Sequence, residues 1–118
     1  MNISFEGINE SIVTFAAEGN IEPGNLVTVC NNNTVKKSTD NANFIGICLS
    51  CSNGLAAVQI SGFATIKIKS MESTNFGVQY FVADNDACLK PSSIENKDAV
   101  PLNVVAIDKE AATIDVFL

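Results

Sequence analysis

The sequence predicts a mostly β protein: a small single-domain β-barrel or β-sandwich built from two similar β units, with at most one or two short helical turns. Its 118 residues suffice for one hydrophobic core rather than two. Hydrophobic residues make up 47% of the chain and charged residues 17%, the opposite of a disordered chain. Short β-branched and aromatic runs alternate with clusters of Gly, Pro, Asn and Asp, a pattern typical of strands joined by turns.

The first part of the chain contains a series of predicted strands separated by turns. Glu22-Pro23-Gly24-Asn25 predicts a type II turn, because Pro presets φ and Gly supplies a positive φ. The run 44–49 is almost continuously apolar, which indicates a buried strand. The predicted strands here are 11–16, 26–30, 35–38, 44–49, 55–60 and 63–69.

The second part of the chain predicts strands at 79–83, 88–91, 102–107 and 113–118. Two short stretches favour helical turns instead. Residues 92–95 have the spacing of a helix capping box, with room for about one turn after it. Residues 71–75 could also form one turn.

The chain contains an internal repeat, in which segment 24–60 resembles segment 77–116. Each segment runs from a glycine through a strand to a polar turn, a short strand, a buried strand and a final strand. The alignment sets 46–49 against 104–107 and 57–60 against 113–116. Two such units predict a barrel or sandwich, which closes to remove exposed strand edges.

Charge disfavours two classes of partner, nucleic acids and anionic membranes. The net charge is −6, and the seven basic residues are all lysines, with no more than two adjacent. Nucleic-acid binding depends on basic side chains at phosphates, so it is disfavoured, as is electrostatic binding to anionic membranes. The first lysine is Lys36, and the start of the chain resembles no export signal, which predicts synthesis in the cytoplasm. No apolar run reaches the ~18 residues of a membrane span.

The four cysteines are expected to be reduced packing residues. Cys48 and Cys51 form a C-x-x-C pair, but zinc ribbons use two such pairs on turns. The repeat sets Cys48 against Ala106 and Cys30 against Ala83, so a small apolar role is favoured over metal or redox chemistry. The cysteines are Cys30, Cys48, Cys51 and Cys88.

The sequence offers no catalytic constellation, so we expect no enzyme and no cofactor or metal. Histidine is absent, which excludes Ser-His-Asp and Cys-His arrangements within the chain. Asp84-Asn85-Asp86 begins like a calcium loop but lacks the glycine and glutamate that the loop requires. The phenylalanines are expected to lie mainly in the core. They are Phe5, Phe15, Phe44, Phe63, Phe76, Phe81 and Phe117.

Four segments resemble the small capsid decoration, or cement, proteins of tailed bacteriophages and prophages. They are 21–27 (IEPGNLV), 42–49 (ANFIGICL), 57–64 (AVQISGFA) and 77–82 (GVQYFV). The resemblance covers residues 12–118. The chain departs from the family pattern at Asn25, where an acidic residue is usual, and at Cys48, where a small residue is usual.

The resemblance implies a non-catalytic protein that binds the major capsid protein on the outer surface of the head and stabilises it. It also implies a homo-oligomer, often a trimer, located in the virion. Residues 1–11 would form an N-terminal arm whose alternating Ile3, Phe5 and Ile8 pair with a capsid strand edge. The alternatives are an edge strand of the domain's own sheet and a frayed terminus.

Two other functions remain open from the sequence. An extracellular or surface module that binds carbohydrate or protein would suit the sparse charge and the Asn-rich loops. A small carboxylate-dependent hydrolase would need a pair of acidic residues, and the spacing singles out none.

Overall fold

The computed structural model describes residues 10–69 and 74–118. These residues form ten strands and no helix, which confirms the predicted fold class. The strands are β1 (Ser11–Glu18), β2 (Leu26–Asn31), β3 (Thr34–Lys37), β4 (Gly46–Ser52), β5 (Leu55–Ser61), β6 (Phe63–Lys67), β7 (Gly77–Ala83), β8 (Leu89–Pro91), β9 (Val100–Asp108) and β10 (Thr113–Phe117).

The prediction of a helical turn after residues 92–95 is wrong. Two reverse turns occur there instead, in which Asn96 N–H donates to the Ser93 carbonyl and Ala99 N–H donates to the Asn96 carbonyl, each at 3.1 Å. The Asn96 side chain accepts from Asp98 N–H, so this asparagine stabilises a turn. The other expected turn, at 71–75, lies mostly outside the described residues. No helix long and apolar enough to cross a membrane occurs in the described ranges.

The first five strands form a closed barrel in the order β1-β3-β2-β4-β5. Pairing of β1 with β5 is antiparallel, whereas pairing of β1 with β3 is parallel and joins Ala16, Ala17 and Glu18 to Thr34, Val35 and Lys36. The β2–β3 and β4–β5 pairs are antiparallel, as their short connections require, and β2 also pairs antiparallel with β4. We call this unit the first barrel.

The last five strands repeat this connectivity in the order β6-β10-β9-β7-β8. A parallel bridge between Ile68 and Leu89 links the β6 end of this sheet to its β8 end. This bridge corresponds to the parallel β1–β3 pairing, so each strand of the first barrel has an equivalent five strands later. Because one isolated bridge joins its edges, this sheet is closed less completely than the first barrel, and we call it the second barrel. The two similar β units predicted from the repeat are therefore present.

A bulge at the same place in each barrel fixes the alignment of the two units. In the first barrel Cys48 pairs with Val58, and the register shifts immediately afterwards, at Leu49. In the second barrel Val104 pairs with Val116, and the register shifts at Val105.

The bulges correct the sequence alignment by two residues. Cys48 is equivalent to Val104 rather than to Ala106, and Val58 is equivalent to Val116 rather than to Ile114. The extra residue of each bulge places interior side chains three positions apart, Cys48 and Cys51 in the first barrel and Val104 and Ile107 in the second.

Two hydrophobic clusters make up the core. The interior of the first barrel is small and contains Ile21, Val27, Val35, Cys48, Ala56 and Val58. The larger cluster fills the second barrel and also includes Leu26, Phe44 and Ile47 from the first part of the chain. Side chains from the outside of the first barrel thus complete the core of the second, which holds the two barrels together.

Backbone hydrogen bonds reinforce the contact between the barrels. Leu26 N–H donates to the Ala87 carbonyl at 2.9 Å, and Ala83 exchanges two hydrogen bonds with Asn41 and Ala42. Pairing satisfies backbone groups that burial would otherwise leave without partners. The β7–β8 turn of the second barrel therefore lies directly against β2 of the first.

Two turns match their sequence signals. Asn25 N–H donates to the Glu22 carbonyl at 3.1 Å, and Gly24 has a φ of 93°, which confirms the predicted type II turn. Asn53 and Gly54, both with positive φ, form the two-residue connection between β4 and β5.

Candidate functional site

The arm residues Ile3, Phe5 and Ile8 lie outside the described part of the chain, so their role stays a prediction. The structure does describe the strand that follows them. Ser11, the first residue of β1, pairs with Ser61, the last residue of β5. The arm therefore reaches the barrel at the point where its neighbour β5 ends.

The first half of β1 is paired along one edge only within the described barrel. Antiparallel pairing with β5 runs from Ser11 to Ala16, whereas parallel pairing with β3 begins only at Ala16. Residues 11–15 consequently present an edge that β3 does not pair with. An extended partner segment can add to such an edge through backbone hydrogen bonds.

An apolar face lies on the outside of the second barrel, across β7 and β9. Phe76 is 62% exposed, Val78 is 59% exposed and Val105 is 38% exposed. Val78 pairs with Asn103, and the inward-facing Gly77 pairs with Val104, so Val78 and Asn103 point outwards. We call Phe76, Val78 and Val105 the β7–β9 face.

Sequence reasoning missed the β7–β9 face and assigned Phe76 to the core, which is wrong. Phe44 and Phe81 are buried as expected, and Phe15, Phe63 and Phe117 are half-buried. Phe5 lies outside the described residues. The sequence contained one signal for this face, because apolar residues occur on both faces of β7. A strand with one face in solvent needs apolar residues on the other face only.

The equivalent face of the first barrel is covered. Ile47 directly precedes Cys48, as Asn103 directly precedes Val104, so the two positions correspond. Ile47 pairs with Leu26, and Asn103 pairs with Val78.

The two faces differ in burial although they correspond in position. Leu26 is 0% exposed and Ile47 is 6% exposed, and both belong to the cluster that fills the second barrel. The same face is thus buried in one barrel and open in the other.

The C-x-x-C cysteines line the interior of the first barrel. Cys48 is buried and pairs with Val58, and Cys51 packs against the same cluster. Burial raises the pKa of the Cys48 thiol, which keeps it in the neutral, weakly nucleophilic form. This environment favours the packing role expected from the sequence. The described residues contain no cluster of three or more groups suited to a metal.

The remaining cysteines are half-buried and have different surroundings. The Cys30 thiol donates a hydrogen bond to Glu18 at 2.9 Å, and this bond raises its pKa. Burial raises the pKa of Cys88, and the nearby Asp84 adds to the effect. Both thiols are therefore held in the unreactive protonated form.

The most buried carboxylate of the described residues has a structural role. Asp84 is 7% exposed, and its Oδ1 accepts hydrogen bonds from Asp86 N–H at 2.8 Å and Cys88 N–H at 3.0 Å. This arrangement stabilises the β7–β8 turn. Asp86 forms an ion pair with Lys69. The motif that resembled the start of a calcium loop is thus a hydrogen-bonded turn.

A cleft of about 350 Å³ lies where the two barrels meet. Glu22 and Ile47 line it from the first barrel, and Lys67, Asp86 and Cys88 line it from the second. A second, open groove of about 380 Å³ lies beside Val29 and Ile45. The groove has one carboxylate in its lining, Asp98, whereas the cleft has two, Glu22 and Asp86, of which Asp86 is ion-paired with Lys69.

Comparisons of this chain with protein families, with curated proteins and with solved structures find no match.

Proposed function

We propose that this protein is a non-catalytic structural protein that binds the outer surface of a tailed-bacteriophage or prophage head and stabilises the shell. The resemblance of segments 21–27, 42–49, 57–64 and 77–82 to capsid decoration proteins motivates the proposal. In this proposal the partner is the major capsid protein, and the protein acts as a homo-oligomer in the virion. The resemblance favours a trimer.

The observation that carries the proposal is the position of β1. At the N-terminal end of β1, pairing with β5 stops at Ser11. Pairing with β3 begins only at Ala16. Among the preceding residues, Ile3 and Phe5 have the two-residue spacing of one strand face, and Ile8 follows three positions after Phe5. An arm of this kind suits addition to a strand edge of another protein.

The electrostatics of the barrel support attachment through the backbone and apolar side chains. The chain has a net charge of −6 but carries no charged residue between Ser11 and Ala17. Ile12 is 51% exposed within this stretch. Burial of an uncharged strand avoids the desolvation cost of ionised groups.

The genes that flank this one provide a first test. The proposal predicts reading frames for a head protease or scaffold and for a major capsid protein beside it. That finding would also identify the shell protein for direct binding experiments. Flanking genes for metabolism or cell-wall assembly would contradict the proposal and favour the surface carbohydrate- or protein-binding module.

A further inference from the structure

We infer that the β7–β9 face binds a second copy of this chain, through the end of its first barrel that carries the β2–β3 turn. The inference concerns self-association and does not depend on binding to a capsid. It follows from the correspondence between the two barrels.

The contact within one chain shows what this type of face binds. The outer face of β2 and β4, where Leu26 pairs with Ile47, is covered by the second barrel. The β7–β8 turn makes the contact, and its Ala87 carbonyl accepts a hydrogen bond from Leu26 N–H at 2.9 Å. The second barrel therefore covers the outer face of β2 and β4 in the first barrel. It does so with the turn between its own second and third strands, β7 and β8.

The β7–β9 face is the equivalent face of the second barrel. Val78 and Asn103 stand where Leu26 and Ile47 stand in the first barrel. Phe76 and Val105 extend this face, and with Val78 they stay 38–62% exposed in the described structure. Exposed apolar side chains gathered on adjacent strands are typical of binding surfaces.

A second copy offers the matching surface on its first barrel. The equivalent of the β7–β8 turn is the β2–β3 turn, where Asn33 has a φ of 51° and Ala87 has a φ of 57°. Asn33 accepts a hydrogen bond from Ala16 N–H, and Ala16 pairs with Leu55, which is 53% exposed. The turn and Leu55 therefore lie at the same end of the barrel.

Charge favours this mode of association. Each chain has a net charge of −6, so two copies repel each other wherever acidic surfaces meet. The segments that form the β7–β9 face, 76–83 and 99–107, contain no charged residue. A contact there buries apolar area without bringing like charges together.

The interface is heterologous, because the β7–β9 face of one copy contacts a different surface of the next. A heterologous contact leaves each copy with one unused surface, so assembly continues until a ring closes or a filament forms. The wild-type protein should therefore assemble beyond the dimer.

The test uses two charged variants that each damage one side of the interface. Val78→Asp alters the β7–β9 face, and Leu55→Asp alters the other side. Ile94→Asp is the matched control, since Ile94 is 72% exposed in the connection between β8 and β9 and belongs to neither surface. Circular dichroism and thermal melting establish that each variant is folded, and sedimentation velocity measures its mass.

We expect the wild-type protein and Ile94→Asp to sediment as oligomers larger than a dimer, and Val78→Asp and Leu55→Asp each to sediment as monomers. An equal mixture of these two variants should form dimers, because each retains one intact surface. A wild-type monomer at all concentrations up to millimolar, or association of folded Val78→Asp equal to that of the wild type, would overturn the inference. Association of Leu55→Asp equal to that of the wild type would show that the β7–β9 face binds another surface. No shell is present in this experiment, so its failure is distinct from failure of the proposed capsid binding.

Discussion

Leu26 and Val78 occupy equivalent positions in the two barrels, yet Leu26 is fully buried and Val78 is 59% exposed. Leu26 is covered by the second barrel of its own chain, whereas the described residues leave Val78 open to solvent. The difference predicts that substitution destabilises the protein much more at Leu26 than at Val78.

Leu26→Ala should lower the free energy of unfolding by about 2–5 kcal/mol, because it leaves a cavity between the barrels. Val78→Ala, at the equivalent position, should change the free energy of unfolding by less than about 0.5 kcal/mol in the monomer, as exposed substitutions usually do. Urea denaturation of both variants at low protein concentration checks the pair. Equal losses of stability would contradict the finding that Leu26 is covered and Val78 is open.

Gly46→Ala should be among the most destabilising small substitutions in the first barrel. An added Cβ would collide with the backbone carbonyl of Gln59 and crowd a methyl group of Val58. Because strand backbone moves little, we expect a loss of about 3 kcal/mol or more. Chemical denaturation measures the loss.

Gly19→Ala is the control for this substitution. A Cβ at Gly19 meets no atom within 4 Å, and its only cost is a left-handed backbone with a φ of 73°. That cost is about 1–2 kcal/mol. A smaller loss for Gly46→Ala than for Gly19→Ala would contradict the close packing of β4 against β5.

Asp84→Ala should destabilise the β7–β8 turn, because it removes the acceptor for two backbone N–H groups. We expect a loss of about 1–3 kcal/mol in the free energy of unfolding. Asp84→Asn keeps a side-chain oxygen at the same place and should retain most of the stability. If the two variants melted at the same reduced temperature, the charge of Asp84, rather than its hydrogen bonds, would be the important property.

Glu18→Gln should make Cys30 more reactive. The Glu18 carboxylate accepts a hydrogen bond from the Cys30 thiol and raises the pKa of that thiol. Removing the charge lowers the pKa, so more thiolate is present at a given pH and alkylation is faster. The pH profile of iodoacetamide labelling, read at Cys30 by peptide mass spectrometry, should move to lower pH. Glu22→Gln serves as the control, and a Glu18→Gln profile that coincides with it would contradict this contact.

Most of the strands could be predicted from the sequence, because alternation and turn residues are local signals. Pro23-Gly24 and Asn53-Gly54 marked their turns through backbone preferences alone. The bulges at Leu49 and Val105 were missed, because apolar residues on both sides of each bulge hide the three-residue spacing of the interior side chains. The repeat alignment was off by two residues because matching apolar runs by residue type does not fix which residue faces inwards.

The candidate site could be predicted less well from the sequence than the fold. Leu26 and Val78 are both apolar residues in β-strands, and composition cannot tell which of them another barrel covers. Phe76 was assigned to the core for the same reason, because burial preferences describe a residue type and not a position. The inter-barrel contact that separates these positions depends on tertiary packing, which is not a local property.

Co-sedimentation with capsid shells tests the central functional claim most directly. Shells would be assembled from the major capsid protein encoded beside this gene, and binding of the full chain would be compared with that of a variant lacking residues 2–9. A variant with Ile3, Phe5 and Ile8 changed to serine serves as the matched control for arm length. We expect the full chain to pellet with the shells and both arm variants to stay in the supernatant while remaining folded. A full chain that stays in the supernatant would contradict this expectation.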